Sequence, residues 1–174
     1  MSGEVFLDER RLAERVAALG TELSRDYGGK HPLFIGILKS AAVFLADLVR
    51  ALSIPAEYDL LALSSYARER ERGGRQSIRI EKDLAQPIES RHVVVVDDVV
   101  DTGLTMQYVL RTLAARNPAS IAVCTLLDRP HRRIAEVPIR YRGFTIPDVF
   151  LAGYGMDDAG RLRELPDLRI VETP

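Results

Sequence analysis

The stretch HVVVVDDVVDTGLTM, residues 92–106, decides the fold class of this chain. Its four consecutive valines, Val93 to Val96, are typical of a strand buried on both faces of a parallel sheet. Two acids, Asp97 and Asp98, follow at once, although desolvating an unpaired carboxylate costs on the order of several kcal/mol. Acids in this position therefore indicate a site that uses negative charge or hydrogen-bond acceptors.

Along the rest of the chain, segments with the hydrophobic pattern of a strand alternate with segments that have the pattern of a helix. The predicted helices are 9–27, 42–52 and 105–116, and the predicted strands are 33–38, 58–66, 77–80, 92–96, 120–127, 139–141 and 149–152. This alternation predicts an α/β fold, with a mostly parallel central sheet flanked by helices in one domain over residues 1–174. Ligands bind beyond the carboxyl ends of such strands, where Asp97 and Asp98 lie.

The composition argues against several classes of protein. No apolar run approaches the roughly 18 residues that a membrane span needs, and the first residues lack a signal region, so we expect a cytoplasmic location. The net charge of −1 argues against a general nucleic-acid binder. Because Cys124 is the only cysteine, an internal disulfide and a cysteine metal cluster are both excluded.

The residues behind the acidic pair have the composition of a phosphate site. Gly103 allows a tight turn in which backbone N–H groups converge, and the N-terminus of the following helix adds positive potential. The hydroxyls of Thr102 and Thr105 are further donors. A lone Asp-x-x-Gly would more often be a helix cap, but here it follows a buried strand and two acids. The stretch therefore predicts a sugar-phosphate site, with the phosphate on the loop and a diol on Asp97 and Asp98.

The motif VVVDDVVDTGLT resembles the phosphoribosyl diphosphate signature of the type I phosphoribosyltransferases, in the form found in the 6-oxopurine (hypoxanthine-guanine) branch. The resemblance extends over nearly the whole chain, through ILKSAAVFLADLVRAL (37–52), LSSY (63–66), KDL (82–84), TLLDRP (125–130), VPIRYRGFTIPDVFLAGYGMD (137–157) and RLRELP (161–166). It implies the family's fold, with a small hood formed by the terminal segments. It also implies purine salvage, in which hypoxanthine or guanine and phosphoribosyl diphosphate give IMP or GMP and pyrophosphate.

The resemblance implies roles in binding the phosphoribosyl group. Asp97 and Asp98 bind the ribose hydroxyls, and Asp101 is the general base or acid at purine N7. Lys39, through a cis peptide with Leu38, contacts the pyrophosphate. Arg163 is a second pyrophosphate contact. The 5′-phosphate is held by Thr102, Gly103, Leu104 and Thr105, which with Asp101 we call the phosphate loop (101–105).

The resemblance implies further roles in base binding, metal binding and loop closure. Phe150 stacks on the purine, and the backbone of Leu151 reads the base edge. Mg²⁺ is held by Asp157, with Asp97 and Asp98 as further candidate ligands. The mobile catalytic loop begins at Ser65 and Tyr66, and the charged stretch 67–75 continues it as a lid. A homodimer or homotetramer is also implied.

The chain departs from the family's pattern at two positions. Ser40 follows Lys39 where the family usually has glycine, and Arg129 stands where the family has the lysine that donates to the purine 6-oxo group. Arginine and lysine differ in reach and geometry, so a transferase for xanthine or another base is an alternative. A second alternative is a pyrimidine-operon RNA-binding regulator on the same fold, because LDRPHR (127–132) resembles a stretch of those regulators. Such regulators typically lack an acid at the position of Asp101.

Overall fold

The computed structural model describes residues 3–66 and 77–171. The six strands of its central sheet are β2 (Leu33–Leu38), β3 (Glu57–Tyr66), β4 (Ser77–Lys82), β5 (His92–Val100), β6 (Ser120–Asp128) and β7 (Ile139–Thr145). They lie in the order β4-β3-β2-β5-β6-β7. All neighbouring strands are parallel except β3 and β4, which confirms the mostly parallel sheet. The charged stretch 67–75, predicted as a lid, lies outside the described residues.

Helices pack on both faces of the sheet, as predicted. They are α1 (Glu9–Tyr27), α2 (Ala41–Arg50) and α3 (Leu104–Ala114). Val94 and Val96 join the core cluster that contains the apolar stripes of α1 and α2, whereas Val93 and Val95 join the cluster that contains α3. All four valines are fully buried, which confirms that the middle of β5 is covered on both faces.

The hood predicted from the terminal segments is a small antiparallel sheet of three strands, β1 (Val5–Leu7), β8 (Leu151–Ala152) and β9 (Leu168–Ile170). They lie in the order β1-β9-β8. The sequence did not predict β1 and β9 as strands, because three residues are too few to establish an alternating pattern. In the part of the chain that the structure describes, no helix has both the length and the apolar character of a membrane span.

The observed element ends correct several predicted boundaries. The helix α2 begins and ends earlier than predicted, α3 covers 104–114 instead of 105–116, and β8 contains only the last two residues of the predicted 149–152. The important correction concerns β5, which was predicted to end at Val96 and continues to Val100. Asp97 pairs with Thr125, and Val100 pairs with Asp128. A parallel ladder joins backbone groups, so it tolerates the polar side chains that had suggested a strand end.

Candidate active site

Most of the predicted base-binding residues lie around one cavity at the carboxyl ends of β2, β5 and β6. The cavity has a volume of about 180 Å³, and the hood forms one of its walls. Six of the residues selected from the sequence line it, namely Asp98, Asp101, Arg129, Phe150, Leu151 and Asp157. Ser40, from the loop after β2, lines it as well. The topology therefore brings together residues from four separate parts of the chain.

The acidic pair at the end of β5 is divided between two cavities. Successive side chains of a strand point to opposite faces. Asp98 lines the larger cavity, whereas Asp97 lines a smaller one of about 70 Å³ formed with the phosphate loop and the start of α3. Asp101 lines both cavities and therefore lies between them.

Both members of the acidic pair lie where ionisation is disfavoured. Asp97 is buried, and its Oδ1 accepts a hydrogen bond from the backbone N–H of Asp98 at 3.1 Å. Burial raises the pKa of Asp97 well above its usual range, and the charge of Asp98 adds to this effect. Burial also raises the pKa of Asp98, although hydrogen bonds and the positive charge of Arg163 oppose it. Ionising this pair therefore destabilises the folded protein without ligand.

Asp97→Asn is expected to raise the melting temperature of the ligand-free protein at pH 7. Because the pKa of Asp97 is higher in the folded state than in the unfolded state, the unfolding free energy falls as pH rises between the two values. Asparagine removes this penalty and still offers an oxygen to the N–H of Asp98. Each kcal/mol recovered raises the melting temperature by roughly 2–4 °C for a chain of this size. Calorimetry with a chelator should show a smaller gain at pH 4.

Asp83→Asn is the matched control for this prediction. Asp83 accepts two hydrogen bonds from Arg116, which lower its pKa. Its charge therefore stabilises the folded state above the unfolded pKa, and its removal should lower the melting temperature slightly at pH 7, since the pair is half-exposed. A lower melting temperature for Asp97→Asn at pH 7, or an equal gain at both pH values, would contradict the prediction.

The phosphate loop turns at Gly103 and leads directly into α3. Gly103 caps α3 with φ of 83°, and a Cβ atom there would lie 2.2 Å from the carbonyl oxygen of Ala135. Only glycine meets both conditions, since other residues rarely adopt this φ and have no space here. Thr102 Oγ1 lies 3.4 Å from the backbone nitrogen of Leu104 and accepts its N–H, and Thr105 lies exposed in the first turn of α3.

Asp101 and Arg129 each have one buried polar atom without a partner. Asp101 Oδ2 lies 3.6 Å from Nη1 of both Arg129 and Arg132. The side chain of Arg129 is only 9% exposed, and its Nη2 donates to the carbonyl of Val149. Among the described residues, Asp101 Oδ1 and Arg129 Nε have no hydrogen-bond partner. An acceptor and a donor left unpaired beside one cavity indicate a site that a ligand completes.

Arg163 joins the hood to the loop after β2. Its Nη1 donates to Ser40 Oγ at 3.0 Å and to the carbonyl of Gly155 at 2.7 Å, and its Nη2 pairs with the carboxylate of Asp157. Ser40 has helical backbone angles, φ −63° and ψ −37°, so this position does not need glycine. The first departure from the family's pattern thus supplies a hydroxyl that glycine would lack.

The remaining predicted residues lie at the carboxyl ends of β2 and β3. The Leu38–Lys39 peptide bond is cis, and Lys39 is exposed at the carboxyl end of β2. Ser65 and Tyr66 are the last residues of β3, and the structure describes their backbone but not their side chains. Within residues 3–66 and 77–171, no cluster of three or more metal-ligating side chains is present.

Sequence analysis missed three charged residues that support the site. Asp128 is the buried last residue of β6, and Arg132 and Arg133 lie in the short 3₁₀ turn Pro130–Arg132 and directly after it. Asp128 ends the apolar run SIAVCTLLD, as Asp97 follows the apolar run of β5. An acid directly after a buried strand could therefore have indicated Asp128 from the sequence. The two arginines gave no comparable signal, because charged residues after a strand usually lie in solvent.

Comparisons with known proteins agree with this geometry. The phosphoribosyl transferase domain family matches residues 2–159. The hypoxanthine phosphoribosyltransferase of Salmonella typhimurium is 39% identical over 165 residues, covering 94% of this chain and 92% of that protein. The hypoxanthine-guanine phosphoribosyltransferase of Mycobacterium avium is 42% identical over 167 residues, with coverages of 92% and 81%.

A solved structure extends the similarity to three dimensions. The crystal structure of a hypoxanthine-guanine phosphoribosyltransferase from Bacillus anthracis superposes with a TM-score of 0.92 at 34% identity, covering 99% of this chain and all of that one. The cavities at the carboxyl ends of the strands, the loop around Gly103 and these matches lead to one conclusion. This chain belongs to the phosphoribosyltransferase family.

Proposed function

We propose that this protein transfers the 5-phosphoribosyl group of phosphoribosyl diphosphate to hypoxanthine or guanine, giving IMP or GMP and pyrophosphate. The observation that carries the proposal is the cavity lined by Asp101 and Arg129, each of which has a buried acceptor or donor with no hydrogen-bond partner among the described residues. A 6-oxopurine has a protonated N7 next to an oxo group, so it offers a donor and an acceptor in the matching order. Relatives named for this activity support the same assignment.

Each part of the site has a task in the proposed reaction. The phosphate loop holds the 5′-phosphate, and Asp97 and Asp98 accept hydrogen bonds from the ribose hydroxyls. Lys39 and Arg163 stabilise the negative charge of the departing pyrophosphate. As the bond from the anomeric carbon to the base forms, Asp101 accepts the N7 proton.

The base lies in the larger cavity in this proposal. Phe150, which is 40% exposed and lines the cavity, stacks on the purine ring, and the Leu151 backbone contacts its edge. Ser65 and Tyr66, the last residues of β3, precede the charged stretch predicted as a lid, which lies outside the described residues. We further propose a cytoplasmic homodimer or homotetramer, and sedimentation velocity would measure the oligomeric state.

Mg²⁺ is part of the proposed function. Asp98 and Asp157 line the same cavity, and their carboxylate oxygens are the hard ligands that Mg²⁺ prefers, with Asp97 as a third candidate. When bound, the ion supplies charge neutralisation for the pyrophosphate leaving group. Full turnover in excess chelator would contradict this part of the proposal.

A pyrophosphate-release assay against a panel of bases tests the function directly. The panel contains hypoxanthine, guanine, xanthine, adenine and uracil, each with phosphoribosyl diphosphate and Mg²⁺. Release with hypoxanthine or guanine is the expected result. Release with xanthine alone would favour the alternative that Arg129 leaves open, and release with uracil alone would overturn the purine assignment.

Arg129→Lys is expected to lower kcat/KM for hypoxanthine by about tenfold, because a hydrogen bond to a charged group contributes roughly 1.5–3 kcal/mol. Arg129 contacts the Val149 carbonyl and the Asp101 carboxylate with different nitrogens, a geometry that one ammonium group reproduces poorly. The KM for phosphoribosyl diphosphate should change by less than about twofold. Steady-state kinetics with each substrate varied in turn measures both values.

Arg132→Lys is the control for that substitution. Arg132 lies at the same 3.6 Å from Asp101 Oδ2, but its side chain is half-exposed, so we expect a small effect. Equal losses in the two variants would mean that proximity to Asp101, and not the buried position of Arg129, determines base binding.

A further inference from the structure

Arg133 contacts two consecutive backbone carbonyls where β5 enters the phosphate loop. Its Nε donates to the carbonyl of Asp101 at 3.0 Å, and its Nη2 donates to the carbonyl of Val100 at 3.1 Å. The planar guanidinium presents donors in a fixed arrangement, so it fixes the direction of the Asp101 carbonyl. It holds the Val100 carbonyl together with the backbone N–H of Arg129, which donates to the same oxygen at 3.1 Å. Arg133 therefore holds the backbone on either side of the proposed general base.

The next carbonyl of the loop is held by the same segment of chain. The carbonyl of Thr102 accepts from the N–H groups of Ile134, at 2.8 Å, and Ala135, at 2.9 Å. The Arg133 side chain also packs behind Gly103, since a Cβ atom there would lie 2.9 Å from Arg133 Cδ. Three successive carbonyls are thus turned towards residues 133–135.

The direction of these carbonyls determines the direction of the loop's N–H groups. In a planar trans peptide, the C=O and the N–H of the following residue point in opposite directions. The N–H groups of Asp101, Thr102 and Gly103 therefore point away from residues 133–135. Successive N–H groups held in this way form a concave anion-binding site.

Arg133 is itself held in place by a buried carboxylate. Asp128 has a side chain that is only 5% exposed, and one of its oxygens pairs with Arg133. Its other oxygen lies 2.7 Å from Arg142 Nε, on β7. The side chain of Arg133 is 18% exposed, so its guanidinium has little freedom to move. A chain of contacts thus runs from β7 through Asp128 to the phosphate loop.

We propose that Arg133, anchored by Asp128, is a positioning residue that sets the affinity of the site for the 5′-phosphate. It does this by turning the loop's N–H groups towards the ligand, without binding the phosphate itself. This inference rests on the proposed function of the loop. It predicts that Arg133 affects ligands that carry a 5′-phosphate and leaves pyrophosphate unaffected, since Lys39 and Arg163 lie outside this chain of contacts.

Isothermal titration calorimetry with three probes tests the inference on the full-length protein. The probes are IMP, inosine and inorganic pyrophosphate, all with Mg²⁺. In wild type, IMP should bind more tightly than inosine. In Arg133→Gln we expect the IMP-to-inosine affinity ratio to fall by about tenfold, as for loss of a hydrogen bond to a charged group. Pyrophosphate affinity should stay within about twofold, a difference that general destabilisation would not produce.

Two further variants decide the result. Arg133→Lys keeps the charge but not the planar donors, so it should show an intermediate IMP-to-inosine affinity ratio. If Arg133→Gln does not fold, the result for Arg133→Lys tests the inference by itself. Arg116→Gln removes another two-bond arginine–aspartate pair, with Asp83, and should leave the ratio unchanged. If the Arg133 variants kept the wild-type IMP-to-inosine affinity ratio, or lost pyrophosphate binding in parallel, this inference would be overturned and the proposed function would stand. Equal binding of IMP and inosine by wild type would overturn the proposed function as well.

Discussion

Asp101→Asn is expected to lower kcat for nucleotide formation by about 10²–10⁴-fold, the usual contribution of a general acid or base. Asparagine matches the shape of aspartate but cannot accept the N7 proton. Asp101 lines both cavities, and its Oδ1 has no partner among the described residues, so no neighbouring group already occupies the acceptor. Single-turnover kinetics with hypoxanthine separates this chemical step from product release.

Asp148→Asn is the matched control for the loss at Asp101. Asp148 Oδ1 lies 3.9 Å from Arg132, the same arginine that approaches Asp101, but its side chain is 64% exposed. We expect its removal to change kcat by less than about twofold, as for an exposed ion pair. Retention of more than about a third of the wild-type rate by Asp101→Asn would remove this residue from the proposed chemistry. RNA binding without turnover in wild type would favour the regulator alternative.

Gly103→Ala is expected to raise the KM for phosphoribosyl diphosphate by at least about tenfold and to lower the melting temperature. A left-handed conformation costs a residue with a Cβ atom roughly 1–2 kcal/mol. The clash with the Ala135 carbonyl at 2.2 Å adds to this cost, because backbone atoms on both sides would have to move. That movement would disturb the N–H groups that hold the 5′-phosphate in the proposed function. Initial-rate kinetics and thermal denaturation measure the two effects.

Gly29→Ala separates backbone strain from the steric clash. Gly29 has a similar φ of 74°, but a Cβ atom there would have no neighbour within 4 Å. We therefore expect a modest loss of stability from the conformation alone and an unchanged KM for phosphoribosyl diphosphate. If Gly103→Ala destabilised the protein no more than Gly29→Ala and bound substrate normally, the close packing behind the loop would have no role in binding.

The features that could be predicted from the sequence are local ones. The helix over 9–27 and the strand over 33–38 were predicted with their observed ends. The helix has a clear apolar stripe, and the strand is a short continuous apolar run. The phosphate loop was predicted from one glycine, two threonines and three acids within a few residues. The end of β5 was predicted wrongly, since polar side chains indicate an end even where backbone pairing continues to Val100.

The resemblance to a family supplied candidates for the distant parts of the site, but not their contacts. Ser40 was marked only as a departure, and in the structure its hydroxyl accepts a hydrogen bond from Arg163, 123 residues away. Arg129 was marked in the same way, and its burial against the Val149 carbonyl was not predictable. Such contacts depend on which strands are neighbours, and the pattern within one segment does not contain that information.

Residues 92–106 taken alone predicted a buried parallel strand, two acids and a glycine turn ahead of a helix. Short-range steric and hydrogen-bonding rules act within such a stretch, so the strand, the turn at Gly103 and the start of α3 follow from its own residues. The direction of the loop's carbonyls depends instead on residues 133–135. The tertiary structure was needed to show that Asp97 and Asp98 line different cavities. It was also needed to show that Arg133 contacts the loop from 32 residues away. The physical reason is that the order of β2, β5 and β6 in the sheet brings their carboxyl ends together, and side chains far apart in sequence meet only there.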